Sequence, residues 1–222
     1  QTAMVFEKHD LDYCCRGKQK LTDACSDKSI SVDEILDELK PYINEELDVE
    51  THFEKKSVGE LVGYILLHHH FYIRQSAPIL MSHLTKVVNK HGERFSYMRK
   101  VQEIFATLVV ELEQHLQKEE SILFPRIKEI ELAMKSGGVQ IIKPGYVNGA
   151  IAVMENEHET AGDMMAKIRE LTHHYTAPSG ACVTFNICLS ELKAFEEDLH
   201  QHVHLENNIL FPMVRKMLAV GE

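Results

Sequence analysis

One pattern occurs twice in this sequence, as HLQKEESILFP at residues 115–125 and as HVHLENNILFP at residues 202–212. Both copies read His-x-x-x-Glu-x-x-Ile-Leu-Phe-Pro. On an α-helix, a spacing of four residues places the histidine and the glutamate on one face, one turn apart. The repeat therefore predicts two long helices, each with a His–Glu pair that can hold one metal ion or two neighbouring ions.

The His–Glu pairs lie among apolar residues of the same helical face. In the first copy, Leu108 and Leu112 precede His115 on this face and Ile122 follows Glu119, and the second copy has the same arrangement. Burying an imidazole and a carboxylate in an apolar stripe is costly unless they are paired or bound to a metal. Two structural ion pairs are the alternative, but the repeat of the whole pattern favours a metal site.

Two further histidines precede the pairs at matching distances. His70 lies 45 residues before His115, and His158 lies 44 residues before His202. The chain thus contains two copies of a helical hairpin, with a histidine on the first helix and His-x-x-x-Glu on the second. His70 belongs to a run of three histidines, so His69 is the alternative ligand.

A pseudo-twofold bundle of these hairpins would collect four imidazoles and two carboxylates at its centre. Six ligands exceed the number that one tetrahedral zinc ion takes. Carboxylates mixed with imidazoles suit iron or manganese. Two carboxylates can bridge two ions and leave open positions at which O₂, NO or peroxide would react. Ligand type alone does not separate iron from manganese.

The remaining sequence also predicts helices, so the fold class is all-α. Long helices are expected over residues 57–90, 94–131, 149–175 and 181–218, and Ser57 and Glu60 form a capping box for the first. Their short connections predict an antiparallel four-helix bundle over residues 57–222. Residues 1–50 predict a separate small helical module, with one helix from a capping box at Ser31 to about Glu46.

The net charge and the length of the apolar runs argue against two classes of partner, nucleic acids and membranes. The chain has 222 residues, of which 34 are acidic and 24 are basic, with a formal net charge of −10. An acidic surface repels phosphate, so nucleic acid is not an expected partner. No apolar run approaches the length of about 18 residues that a membrane span needs. We therefore expect neither a nucleic-acid-binding nor a membrane protein.

The five cysteines do not form a secreted disulfide pattern. Cys14 and Cys15 are adjacent, and neighbouring cysteines bridge each other only with strain. This usage indicates a reducing compartment and hence a cytoplasmic protein. Two small buried side chains are one interpretation of Cys14 and Cys15, and a redox or iron-handling role is the other.

The duplicated pattern resembles that of hemerythrin-like bundles. With the N-terminal stretch FEKHDLDYCCRG at residues 6–17, the whole chain resembles the bacterial iron–sulfur cluster repair di-iron proteins, the RIC family. Other matching stretches are residues 153–158 and 205–212. The resemblance implies two carboxylate-bridged iron ions in an Fe–O–Fe centre. The implied iron ligands are His70, His115, Glu119, His158, His202 and Glu206.

The resemblance also implies a function. The family repairs iron–sulfur clusters damaged by nitrosative or oxidative stress and is thought to supply iron for their rebuilding. Cys14 and Cys15 match the family's Tyr-Cys-Cys motif, which is associated with the repair role, although Arg16 stands where the family usually has glycine. Expected partners are damaged iron–sulfur proteins or a cluster scaffold, with NO, O₂ or peroxide as small ligands, and a homodimer is compatible with the sequence.

Two other functions stay open at this point. The bundle could bind O₂ or NO as a sensor or store without turnover. Alternatively, it could be a di-iron enzyme that reduces NO, so the sequence leaves enzymatic activity undecided. Steady turnover with an electron donor would distinguish the enzyme from a protein that releases iron stoichiometrically.

Overall fold

The computed structural model of the chain describes residues 5–6, 8–9, 11–14, 19–43, 53–136 and 144–220. These residues form helices and connecting turns and include no β-strand, in agreement with the predicted all-α class. Within the same ranges, no helix has both the length and the apolar character needed to cross a bilayer.

Four long helices form the bundle, and three of them change from α- to π-helix and back. The first bundle helix consists of Val58–Ile65, the π-helix Leu66–His70, and Phe71–His91. The second consists of Tyr97–Lys118, the π-helix Glu119–Leu123, and Phe124–Ser136. The third is the single α-helix Pro144–Leu171. The fourth consists of Val183–Leu205, the π-helix Glu206–Leu210, and Phe211–Val220.

Local sequence explains where some of these helices begin and end. The capping box at Ser57 is present, since its hydroxyl accepts a hydrogen bond from Glu60 N–H and the Glu60 carboxylate accepts one from Ser57 N–H. The third bundle helix lies earlier in the sequence than predicted. It begins at Pro144, whose fixed φ suits a first turn, and it ends before three residues with positive φ, His173 to Tyr175.

The π-helices correct one prediction about the apolar face. Ile122 was expected to continue the inward stripe after Glu119, but 46% of its surface is exposed, whereas Leu123 is buried. The N–H of Phe124 donates to the carbonyl of Glu119, five residues earlier. A π-turn contains more residues than an α-turn, so the inward position moves from Ile122 to Leu123.

The bundle core consists of two apolar clusters with a polar layer between them. One cluster includes Ile73, Leu112, Ala161 and Leu199, and the other lies towards the opposite end of the bundle. That second cluster includes Val58, Leu123, Met154 and Leu205. In every bundle helix, the histidine singled out by the sequence lies between residues of the two clusters, so the four histidines share one level.

The N-terminal part has a small core of its own. Its helices are Leu21–Lys28 and Val32–Ile43, and its buried residues are Val5, Leu11, Cys25 and Ile35. The predicted helix end near Glu46 lies outside the described residues. A core of this size is too small for independent stability, so contact with the bundle is expected to stabilise it.

Among the described residues, residues 12–14 contact the bundle, and we call them the docking segment. The Tyr13 ring lies against the rings of His200 and His204 on the fourth bundle helix. Cys14 is buried in the same apolar cluster as Ile73. The docking segment thus anchors the N-terminal part to the bundle near the polar layer.

Candidate metal centre

The six residues that the sequence predicts as metal ligands meet in the polar layer. They form two groups of four that could each hold an ion, and within each group the potential ligand atoms lie within 4.8 Å of one another. One group contains His70, His202 and both glutamates, Glu119 and Glu206. The other contains His115, His158 and the same two glutamates.

Each glutamate faces one histidine of each group. Glu119 Oε2 lies 3.4 Å from the Nε2 atoms of both His70 and His115. Glu206 Oε2 lies 3.0 Å from His158 Nε2, and its Oε1 lies 3.2 Å from His202 Nε2. Both carboxylates are therefore placed to bridge two neighbouring cations.

The geometry also shows how the predicted hairpins combine. Each group takes one histidine from each hairpin, because His70 joins His202 and His115 joins His158. His69, the alternative to His70, is in neither group. Its Nδ1 atom lies 2.9 Å from Asp198 Oδ1 instead.

The buried polar atoms of the layer fit a cation. All six side chains are almost fully buried. Among the described residues, both oxygens of Glu119 and of Glu206 and the Nε2 atoms of His70 and His202 have no hydrogen-bond partner. Leaving such atoms unsatisfied is costly, and positive ions between them would satisfy them all.

Two of the four histidines, His70 and His115, are held in the neutral form that binds metals. Burial and the neighbouring His202 lower the pKa of His70 to about 4. Burial and the neighbouring His158 lower the pKa of His115 to about 3. Metal binding requires a neutral imidazole with a nitrogen lone pair, so at neutral pH these two side chains need lose no proton to bind.

The two carboxylates differ in charge. Burial and the charge of Glu206 raise the pKa of Glu119 well above its usual value. Burial acts in the same direction on Glu206, but His202 and His158 lower its pKa well below the usual value. Two buried carboxylates this close repel each other when both are ionised, and a shared cation would remove the repulsion.

Three histidines have an outer partner on the Nδ1 atom that faces away from the centre. His70 Nδ1 lies 2.7 Å from Glu120 Oε1, which also accepts a hydrogen bond from Arg74. His115 Nδ1 lies 2.9 Å from Glu157 Oε2. The third partner is the side-chain amide of Asn207, whose Oδ1 lies 2.9 Å from His158 Nδ1.

Such partners fix the tautomer and orientation of a metal-binding histidine. Sequence reasoning did not identify them. Each one is the chain neighbour of a ligand, as in Glu119-Glu120, Glu157-His158 and Glu206-Asn207. A residue one step from an inward position is rotated by about 100° on the helix, so the pattern alone assigns it to the surface. It serves a ligand of a different helix, which only the tertiary structure brings near.

Of the two predicted functional cysteines, the structure describes one. Cys14 is buried, and its N–H donates to Asp12 Oδ1 at 3.0 Å. Its carbonyl accepts a hydrogen bond from Asn207 Nδ2. Cys15, with Arg16, lies outside the described residues.

A small cavity reaches the layer from one side. Its volume is about 130 Å³, and it lies between the second and third bundle helices. His115 and His158 form part of its lining, together with Lys118 and Glu157, which form an ion pair. A diatomic molecule could approach this pair of histidines through the cavity.

Comparison with known proteins agrees with this geometry. The hemerythrin HHE cation-binding domain matches residues 62–214. Residues 1–42 match ScdA_N, a domain of unknown function. The iron–sulfur cluster repair protein YtfE of Enterobacter sp. (strain 638) is 34% identical over 212 residues, which cover 96% of this chain and 90% of that protein. The proteins of the same name from Escherichia coli O81 (strain ED1a) and Escherichia fergusonii have the same identity and coverage.

These matches extend over nearly the whole chain and include the bundle with its two groups of histidines and glutamates. The chain therefore belongs to the family of iron–sulfur cluster repair proteins that contain a hemerythrin-type cation-binding bundle.

Proposed function

We propose that the bundle holds two iron ions bridged by Glu119 and Glu206. His70 and His202 would bind one ion, and His115 and His158 the other. The observation that carries this proposal is that the two histidine pairs are separate, whereas both groups share the two glutamates.

The division of the chain into an N-terminal module over residues 1–50 and a bundle over residues 57–222 stays a prediction.

The donor set and the names of the relatives together favour iron. Imidazole and carboxylate together suit iron or manganese, and the bundle resembles the di-iron carboxylate proteins in presenting both ligand types inward from four helices. The relatives are named for the repair of iron–sulfur clusters, which are themselves made of iron. When bound, iron would supply open coordination positions and two accessible oxidation states.

The protein's own residues prepare the centre in three ways. The imidazoles of His70 and His115 are neutral and present lone pairs without first losing a proton. Glu206 supplies negative charge in a layer that lies between the two apolar clusters, and Glu119 would add a second negative charge once a cation is bound. The outer carboxylates of Glu120 and Glu157 hold two of the rings in the tautomer that points Nε2 inward.

We further propose that the protein repairs iron–sulfur clusters damaged by nitrosative or oxidative stress and that it does so by supplying iron. The names of its relatives support the repair role. Its partners would be damaged iron–sulfur proteins or a cluster scaffold. We place the protein in the cytoplasm, because adjacent cysteines suit a reducing compartment. A homodimer also stays a prediction.

The test combines metal analysis with a repair assay. Protein from iron-replete cells should contain about two iron ions per chain, with near-ultraviolet charge-transfer absorption. Incubated with a cluster enzyme that NO has inactivated, it should restore activity as its own iron content falls. Protein stripped by a chelator is the control. Zinc or no metal in well-folded protein would contradict the centre, and recovery without iron loss would contradict iron supply.

The cavity beside His115 and His158 favours a second function at the same site, the reduction of NO. Such an enzyme would consume NO repeatedly, taking two electrons and two protons for each pair of NO molecules converted to N₂O and water. The measurement is NO consumption in the presence of a chemical electron donor. Consumption that stops after one equivalent per centre would exclude turnover.

A further inference from the structure

The side chain of Asn207 connects the docking segment to the metal centre. Its Nδ2 group donates a hydrogen bond to the carbonyl of Cys14 at 3.3 Å. Its Oδ1 atom lies 2.9 Å from Nδ1 of His158. One amide group therefore lies between the N-terminal part of the chain and a histidine of the metal centre.

The side-chain amide of Asn207 makes a different kind of hydrogen bond at each of its two ends. Its oxygen accepts hydrogen bonds and its nitrogen donates them. When Nδ2 donates to the Cys14 carbonyl, Oδ1 faces His158 and accepts from Nδ1–H. This contact selects the imidazole tautomer whose Nε2 lone pair points into the centre. Without the Cys14 carbonyl, the amide could turn over and present its NH₂ group, which opposes that tautomer.

We propose that Asn207 is a positioning residue that couples docking of residues 12–14 to metal retention at His158. The proposal rests on the six-ligand iron centre proposed above. Docking of the segment orients the amide for the His158 tautomer that binds metal. Metal on His158 in turn fixes Nδ1–H, which holds Oδ1 in place and leaves Nδ2 directed at the Cys14 carbonyl. Coupling between two sites is reciprocal, so metal must also stabilise the docked segment.

The chain offers a matched control in the next residue. Asn208 Nδ2 donates to the carbonyl of Tyr13 at 3.2 Å, so it also holds the docking segment. Its other described contact is with His204, which is not part of the metal centre. Loss of Asn208 should weaken docking without breaking the connection to a ligand.

The experiment measures how fast Cys14 reacts with N-ethylmaleimide in full-length protein, with tandem mass spectrometry to locate the label. Cys14 is buried, so its labelling reports undocking. Each variant is compared after chelator stripping and after anaerobic reloading with ferrous iron. The variants are Asn207→Leu, Asn207→Asp and Asn208→Ala. Elemental analysis gives the iron content of every sample.

Iron should slow the labelling of Cys14 in the wild-type protein by about fivefold or more, the lower end of typical coupling. Asn208→Ala should label faster in both states but keep this ratio. Asn207→Leu should bring the ratio close to one. Asn207→Asp keeps an acceptor for His158 and loses the donor to Cys14, so it should retain iron and still lose the ratio. Asn207→Asp also tests the coupling if Asn207→Leu does not fold.

A wild-type ratio near one, with iron bound, would overturn the role of Asn207 and leave the iron centre intact. The same holds if both Asn207 variants keep the wild-type ratio. A wild-type protein that takes up no iron after reloading would overturn the centre itself and the coupling with it. Iron content therefore separates failure of the centre from failure of the coupling.

Discussion

Glu119 and Glu206 lie on different helices from different halves of the chain, yet both belong to both metal-binding groups. Each histidine of the centre belongs to only one group. In the proposed di-iron centre, the shared carboxylates would therefore hold the two cations together, whereas each histidine would contact one cation only.

Replacement of Glu119 or Glu206 by alanine should remove most of the bound iron. Each change deletes a ligand common to both groups and leaves the opposite glutamate as the only carboxylate in the layer. Iron per chain, measured by elemental analysis, tests this. Glu113→Ala is the control, because Glu113 is on the same helix but is exposed and pairs with Arg74. Full iron in both Glu119 and Glu206 variants would contradict the bridging role.

In protein stripped of metal, Glu119→Gln should raise the thermal stability. The pKa of Glu119 is raised in the folded state, so ionisation of this carboxyl costs stability as the pH rises above its unfolded value near 4.5. Glutamine removes that cost. We expect an increase in Tm of about 2–4 °C for each 1 kcal/mol recovered.

The difference in Tm between Glu119→Gln and the wild type should grow as the pH rises from 5 to 7, because more of the unfolded-state carboxyl is ionised. Calorimetry of both stripped proteins across this range gives the result. A Tm for the glutamine variant that lies below the wild type throughout would refute the proposed repulsion between the two carboxylates.

Glu157→Gln should lower iron affinity without removing a ligand. The Glu157 carboxylate contacts His115 Nδ1 and pairs with Lys118, and loss of its charge makes the imidazole a weaker ligand. Changes to such outer partners typically cost about 10- to 100-fold in metal affinity. Competition with a chelator measures the change. Glu159→Gln, an exposed position on the same helix, should bind iron like the wild type.

Two cysteines far from the centre should differ in reactivity. Burial and the charge of Glu191 raise the pKa of Cys188 to about 12. Backbone N–H groups at the start of the fourth bundle helix lower the pKa of Cys182, whose Sγ lies 3.1 Å from His91 Nε2. Iodoacetamide at pH 8 should therefore label Cys182 and leave Cys188 unmodified in folded protein, as peptide mass spectrometry can show. Equal labelling of the two would contradict this assignment.

Replacement of Cys14 and Cys15 by serine should leave iron content unchanged and impair repair of an NO-damaged cluster enzyme. The substitution removes the thiols but keeps the Cys14 carbonyl that Asn207 contacts, so the centre should still assemble. Parallel measurements of iron and of recovered enzyme activity separate the two effects. Cys25→Ser serves as the control within the N-terminal part. Unchanged repair would make the two thiols structural.

Much of the architecture could be predicted from the pattern of residues. The period of the apolar residues predicts the bundle helices, and the spacing of four between His115 and Glu119 predicts a common face. The repeat predicts a second copy at His202. These features depend on helix geometry within one chain segment, so no knowledge of the partner helix was needed.

Residues that act across helices could not be predicted in the same way. An α-helical period places Ile122 on the inward face, and the π-helix Glu119–Leu123 changes that period. Glu157 and Asn207 lie beside ligands in the sequence, at positions that the α-helical period turns away from the inward face. Their side-chain oxygens contact histidines of other helices, and the periodicity of a single helix does not predict such contacts.

Residue identity and helical periodicity were enough to show which side chains are available to bind metal, because the period fixes the face of a helix on which each one lies. They did not predict that His70 joins His202 and that His115 joins His158, nor that the Cys14 carbonyl lies within reach of Asn207. Helical geometry is local to one segment, whereas the choice of neighbour depends on how whole helices pack.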